Sequence, residues 1–200
     1  MLDALIIGGG AAGLSCALVL GSGLKKPFAK DKKVAIITHQ KASHLQNALF
    51  NNVLGLKPGT LGKDLLSDGK LQLERLYPEI TQIEKEKVSE ITKIGDYFLV
   101  STNKSQYKTK LVVVAVGYTN LLTIKGLEDY VKPHPRAAIE KDRIWLENTN
   151  HLITHNLNVA VTLAGWRSQF AIASGSGAHV ATDILTLWNN GTHTKVHDKI

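Results

Sequence analysis

The feature that most constrains this chain is a glycine-rich turn close to residue 10. Gly8-Gly9-Gly10-Ala11-Ala12-Gly13 follows the wholly apolar run Leu5-Ile6-Ile7 and precedes a stretch of helix formers over residues 11–20. An apolar run without polar alternation is the pattern of a central parallel strand buried on both faces. Between a strand and a helix, the spacing G-x-G-x-x-G has a mechanical meaning. The first glycine makes the tight turn, the second lets a pyrophosphate approach the backbone, and the third lets helix and strand pack closely. The anion then rests on free N–H groups at the helix N-terminus. A second apolar run, Val34-Ala35-Ile36-Ile37, follows a polar loop over residues 25–33. Strand, helix and strand form a βαβ unit, so the expected class is α/β with a Rossmann-like parallel sheet.

Further along, Leu61, Leu65, Leu66, Leu73 and Leu76 recur at helical spacing over residues 60–77, with Thr60 as the expected N-cap and Pro78 beyond the end. Two alternating segments, 88–94 and 97–102, flank Gly95-Asp96 and predict a small antiparallel hairpin. The β-branched run over 111–116 ends at Gly117 and belongs back in the buried sheet. Pro133-His134-Pro135 marks the one candidate connector. Asn158-Val159-Ala160-Val161 reads as another strand, residues 169–188 as a long C-terminal helix, and residues 191–200 as a tail expected to fray. In that helix Ser174-Gly175-Ser176-Gly177-Ala178 reads first as close packing against the glycine-rich first helix, since glycine is costly in a helix interior. A chain of 200 residues with 44% hydrophobic and 20% charged residues supports one globular domain, expected over residues 1–190.

The single cysteine, Cys16, excludes an internal disulfide framework, a four-cysteine zinc site and a C-x-x-C dithiol. It falls on the first helix and is expected to be a small core residue. The eight histidines show no H-E-x-x-H spacing, so no metal is expected. A net charge of +7 comes from lysines spread along the chain without interleaved aromatics, which argues against nucleic-acid binding. The apolar stretch over 5–20 is broken by glycines and lacks a basic flank, so neither a signal peptide nor a membrane span is expected and the protein should be cytoplasmic.

The glycine turn alone does not choose between FAD and NADP. No ribose-binding acid follows the second strand, where Ile37 runs into Thr38-His39-Gln40. Thr38 or His39 can hydrogen-bond a ribose, while Lys41 is suited to a 2′-phosphate, which keeps an NADP-binding reductase without flavin among the readings.

Residues 158–166, followed by Gln169-Phe170-Ala171 and the Ser/Gly run, resemble the closing FAD segment of the thioredoxin reductase family. Asn51-Asn52-Val53-Leu54-Gly55-Leu56 with Gly59 is similar to that family's flavin-proximal loop, and Val113-Val114-Ala115-Val116-Gly117 to its A-T-G strand end. The resemblance covers segments 1–117 and 157–190. It implies FAD as cofactor and a homodimer. By the same resemblance Gly8, Gly10, Ala11, Ala12 and Gly13 would hold the pyrophosphate, Thr38 and His39 the adenosine ribose, and Asn52 and Gly117 the region of the isoalloxazine. Thr162 would face the ribityl chain, Trp166 the flavin edge, and Gln169, Phe170 and Ala171 the N1–O2 edge, where a helix N-terminus favours negative charge.

Two departures limit the activity that this resemblance implies. Thr162 stands where the family has an aspartate, and only residues 118–156 stand where the family inserts an NADPH domain with its C-x-x-C. The expected function is a flavin oxidoreductase that takes electrons from free NAD(P)H or a separate redox protein and is not a self-sufficient thioredoxin reductase. The rival reading is a non-catalytic FAD-binding protein with a structural, sensing or assembly role.

Overall fold

The structure, a computed structural model, describes residues 1–39, 43–117 and 123–198. Strand β1 (Ala4–Ile7) runs through the glycine turn into helix α1 (Ala11–Leu24) and on to β2 (Val34–Thr38). A ribbon of β3 (Leu49–Phe50) and β4 (Thr60–Leu61) precedes α2 (Gly62–Leu76) and β5 (Thr81–Glu84). Strands β6 (Val88–Ile94), β7 (Tyr97–Thr102) and β8 (Gln106–Thr109) form a meander, after which β9 (Val112–Val114) returns to the main sheet. A second ribbon, β10 (Val131–Pro133) with β11 (Ile144–Leu146), is followed by β12 (Leu152–Thr154), β13 (Leu157–Val159) and α3 (Phe170–Trp188).

The main sheet has the order β12-β13-β9-β1-β2-β5, parallel throughout except for β12 at the edge. Its inner strands β1, β2 and β9 are buried on both faces, for the reason that their apolar sequences require. Ala4, Ile6, Val34, Ile36 and Val113 face the three helices. Leu5, Ile7, Ala35, Ile37, Val112 and Val114 face the meander, where they meet Val88, Ile91, Phe98 and Val100. Three layers result: helices, parallel sheet, antiparallel sheet. The α/β expectation holds, and the hairpin of residues 88–102 gains a third strand because β8 pairs with β7.

Helices α1 and α3 approach closely at two of their glycines, as a packing reading requires. A Cβ on Gly177 would run into the carbonyl of Ala12, and one on Gly23 into the side chain of Leu185. Gly175 is different, with open space where its Cβ would lie.

Three expectations are corrected. Thr60 does not cap α2: its backbone is paired with Phe50 in β4, its hydroxyl donates to the Lys57 carbonyl at 2.6 Å, and the helix begins two residues later at Gly62. The proline-flanked connector is built into the body rather than strung outside it, since Pro133 pairs with Ile144, and Ile124, Leu127 and Leu146 are buried against the meander side. The polar tail does not fray over its described part. Val196 packs on the helical core, and the Asp198 carboxylate accepts from the Ser22 hydroxyl at 2.9 Å and the Tyr77 hydroxyl at 2.6 Å. Those two bonds hold the Asp198 carboxyl below the ordinary range, because each stabilises its ionised form. Among the described residues no helix is long and apolar enough to cross a membrane, and no cluster of three or more metal-ligating side chains occurs.

Candidate functional site

A cleft of about 440 Å³ opens at the carboxyl ends of the parallel strands, lined at its floor by Ile7, Ile37 and Ala115. Crevices of this kind are where open α/β sheets bind ligands. The glycine turn shapes the near wall. Gly8 has φ of +119°, a region open to glycine but rarely to other residues, and a Cβ there would strike the carbonyl of Ala115. Gly13 lies directly beneath, where a Cβ would strike the carbonyl of Gly8, so this glycine serves contact between helix and turn. Gly10 is the opposite case. Nothing lies within 4 Å of the position its Cβ would take, and the space it faces is the cleft.

Two helices begin at this cleft. Helix α1 starts at Ala11 with Gly10 as N-cap, and α3 starts at Phe170 with Gln169 as N-cap. Neither has a side-chain cap or an acidic residue in its first turn. The first N–H groups of a helix have no intrahelical acceptor, and together with the dipole they present positive potential to whatever faces them. The sheet order sets the two flanks apart. His39, Glu86 and Lys87 line the cleft on the β2–β5 side, and Val161, Thr162, Ser168 and Phe170 on the β13 side.

Of the residues singled out in the sequence, Gly8, Gly10, Ala11, Ala12, His39, Gly117, Thr162 and Phe170 line this one cleft. The others do not. Gly13 is under the turn. Thr38 is buried and its hydroxyl donates to the Ile83 carbonyl at 3.4 Å. Asn52 is exposed in the turn joining β3 to β4, a ribbon that reaches the cleft through Phe50, whose ring centroid lies 5.0 Å from that of Phe170. Trp166 is partly exposed and packs on His151, while Gln169 and Ala171 flank Phe170 on the solvent side. Lys41 lies outside the described residues.

Sequence reading passed over several lining residues. Ser43 closes a short turn by accepting the Leu45 N–H at 3.3 Å and so brings His44 and Leu45 to the cleft. A serine three residues before Gln46 was an available cap signal. Glu86 gave no such signal, as it sits in the polar run 84–87, yet it is buried with its carboxylate accepting from Thr102 at 2.6 Å and Tyr107 at 3.0 Å. The strand expected over 158–161 ends at Val159, before Val161. Val161 is a left-handed residue of φ +51° on the cleft wall.

A family model for pyridine nucleotide-disulphide oxidoreductases matches residues 2–166. The chain belongs to that family. It is 28% identical over 194 residues to the uncharacterized oxidoreductase CzcO of Bacillus subtilis (strain 168), covering 92% of this chain and 52% of the relative. It is 28% identical over 123 residues to the ferredoxin–NADP reductase of Acholeplasma laidlawii, covering 58% of this chain and 36% of that one. The chain thus spans about half the length, or less, of the curated relatives it matches. Among solved structures, a thioredoxin reductase from Gloeobacter violaceus superposes with a TM-score of 0.75 at 13% identity, over 99% of this chain and 98% of that one. At that identity the likeness establishes the fold.

A pyridine nucleotide-disulphide oxidoreductase implies a flavin, of which FAD is the usual form. The residues present fit such a group: an uncapped helix start, no first-turn acid, a glycine whose side-chain position is open cleft, and a second uncapped helix start on the other flank.

Proposed function

We propose that this oxidoreductase-family chain binds FAD in the cleft, with the pyrophosphate at Gly10, Ala11 and Ala12 and the flavin on the β13 side near Thr162 and Phe170. The observation that carries the reading is the convergence of two uncapped, acid-free helix N-termini on one cleft at the carboxyl ends of the sheet. FAD, when bound, supplies the electron-transfer chemistry. The chain's own part is to hold the dinucleotide and to set the potential around it. The α1 start faces the diphosphate charge, the α3 start favours negative charge at the flavin edge, and His39 and Lys87 stand at the adenosine flank. Thr162 offers a hydroxyl to the ribityl chain without a formal charge.

Electrons would come from free NAD(P)H or from a separate redox protein in the cytoplasm, with the chain acting as a homodimer of single domains over residues 1–190. Names among the relatives, such as a ferredoxin–NADP reductase and a ferredoxin-flavin thioredoxin reductase from Clostridium acetobutylicum, support a family tolerant of different donors. Purified protein reconstituted with FAD should show a bound-flavin spectrum that NAD(P)H or a chemically reduced redox protein bleaches without oxygen. A spectrum that neither donor bleaches would favour the non-catalytic FAD-binding reading, and a protein that retains no flavin would overturn both.

The chain should show no thioredoxin reductase activity by itself. Passing electrons from a flavin to a protein disulfide in this manner needs an attacking thiolate within reach. Cys16 is fully buried on α1 and desolvation pushes its thiol up to about 12. Steady NADPH-dependent reduction of thioredoxin above the free-flavin background would refute this. For the same reason Cys16→Ser should leave any flavin-based turnover within about tenfold of the parent, while burying a hydroxyl in an apolar site lowers stability by about 1–3 kcal/mol. Activity assays and urea unfolding of the one variant check both halves.

A further inference from the structure

Val161 presents a local contradiction. Its side chain is β-branched, which disfavours the left-handed region, yet its φ is +51° and it is buried on the cleft wall. The sheet does not hold it there. The last ladder bond of this segment is donated by Ala160 to the Val114 carbonyl at 2.9 Å, and the chain then turns away. The Val161 amide finds its acceptor on α3 instead: it donates to the Ser176 Oγ at 2.7 Å. Its carbonyl is held from the other side, accepting the Trp166 N–H at 3.0 Å.

Ser176 is wholly buried and has a second partner, His151 Nε2 at 2.9 Å. Ser176 Oγ accepts from the Val161 amide and shares a second hydrogen bond with the imidazole, so one hydrogen-bonded chain links amide, hydroxyl and imidazole. His151 is itself fixed. It sits in a left-handed turn with Asn150, its N–H donates to the Asn148 side chain at 3.0 Å, and its ring lies between Trp166 and His179 with centroids 4.9 Å from each. Three separate segments therefore meet on one backbone amide. An ordinary packing serine on a helix has no need of such a neighbour, since it can bond the carbonyl one turn back.

We propose that Ser176 and His151 are positioning residues of the cofactor site, which lock Val161 in its left-handed conformation and thereby set where Thr162 and the α3 start meet the cofactor. This rests on the reading that FAD occupies the cleft. Ser176 does not line the cleft. Its effect passes through the Val161 amide, and removing the hydroxyl leaves that amide buried without an acceptor and the strained turn without its tether.

The discriminating experiment uses Ser176→Ala, Val161→Gly and the double variant. Glycine adopts φ near +50° without strain, so it supplies the conformational part of what the serine holds in place, though not the acceptor of the amide. Ser176→Ala should weaken FAD binding, followed by flavin fluorescence, about tenfold. Adding Val161→Gly should recover part of that loss, about threefold in affinity over Ser176→Ala. A serine that only fills space in the α1–α3 interface would not be rescued by a glycine on another segment. Amide hydrogen exchange at residue 161 in cofactor-free protein should be slow in the parent and at least about tenfold faster in Ser176→Ala. If the parent binds no FAD, the proposed function fails, while exchange and the stability cycle of the same variants still judge the tether. Unchanged exchange at residue 161, or a double variant no better than Ser176→Ala in both stability and affinity, overturns the proposal.

Discussion

Replacing Gly10 with glutamate should abolish FAD binding while leaving the fold intact. The two halves of that expectation come from the same geometry. Gly10 has φ of −84°, which any residue adopts, and its Cβ would enter open space, so the substitution meets no steric obstacle in the cofactor-free protein. The side chain would then stand in the cleft where the diphosphate belongs, beside the α1 start. A carboxylate about 4 Å from a phosphate charge, at an effective dielectric near 20, repels it by about 4 kcal/mol, which is roughly a thousandfold in affinity. Thermal unfolding of the cofactor-free variant should match the parent within about 0.5 kcal/mol, as for a surface change. Retention of stoichiometric FAD after gel filtration would remove the pyrophosphate from this end of the cleft. The contrast with Gly13 sharpens the point, since even alanine there would collide with the Gly8 carbonyl and act on the fold first.

Stability should fall by about 3 kcal/mol as pH drops from 7 to 4, and most of that loss should disappear in His151→Phe. His151 is 1% exposed, and desolvation, reinforced by the neighbouring His179, lowers its pKa from 6.5 to about 4. A histidine kept neutral in the folded state binds its proton more readily when unfolded. Its contribution to stability is therefore complete above pH 6.5, declines as pH falls, and is gone near pH 4. A shift of this size corresponds to about 3 kcal/mol. The groups facing it are the partly exposed His179, paired through Nε2 with Asp183 at 3.3 Å, and the indole of Trp166. Carboxylates whose pKa is lowered, such as Asp3, which accepts from the Lys33 N–H and from Lys110, and Glu84, which accepts from Lys70, lose their contribution only as pH falls through and below the carboxylate range, beneath most of the histidine window. Urea midpoints across the range, for parent and variant, read the difference. Parallel curves for the two proteins would refute the assignment.

The parts of this fold that were legible in sequence are those where one residue type answers to one physical demand. Apolar runs such as 5–7 and 112–114 have no other use than burial on both faces, and Gly8 and Gly13 stand where the backbone of the turn approaches other backbone. Elements held by their partners left no comparable trace. The strand Thr81–Glu84 is mostly polar and exists because it completes the sheet beside β2, and β8, with the sequence QYKT, exists because β7 offers it an edge. The ribbon of β10 and β11 hid behind two prolines, one of which sits at a strand end where a missing N–H is tolerated. At the site, the glycine turn was readable because its geometry is local. The Ser176–His151 tether was not, because it joins residues 25 apart to a valine whose left-handed backbone no residue-type preference would suggest.

The β10–β11 ribbon also makes this domain a natural host for a guest. Val131 pairs with Leu146 and Pro133 with Ile144, so the two ends of the loop between them lie about 5 Å apart. Between them, residues 134–143 form a protruding loop in which Ile139 is 94% exposed. A folded unit whose two termini lie side by side can be spliced into the exposed tip of that loop without breaking a strand of the main sheet. The base of the loop, moreover, is anchored where a guest would want it: Arg136 donates to the Gly165 carbonyl at 2.6 Å, three residues from Thr162. Any such guest would be mounted beside the cleft wall that carries Thr162, which makes loop 134–143 the place to graft an added module.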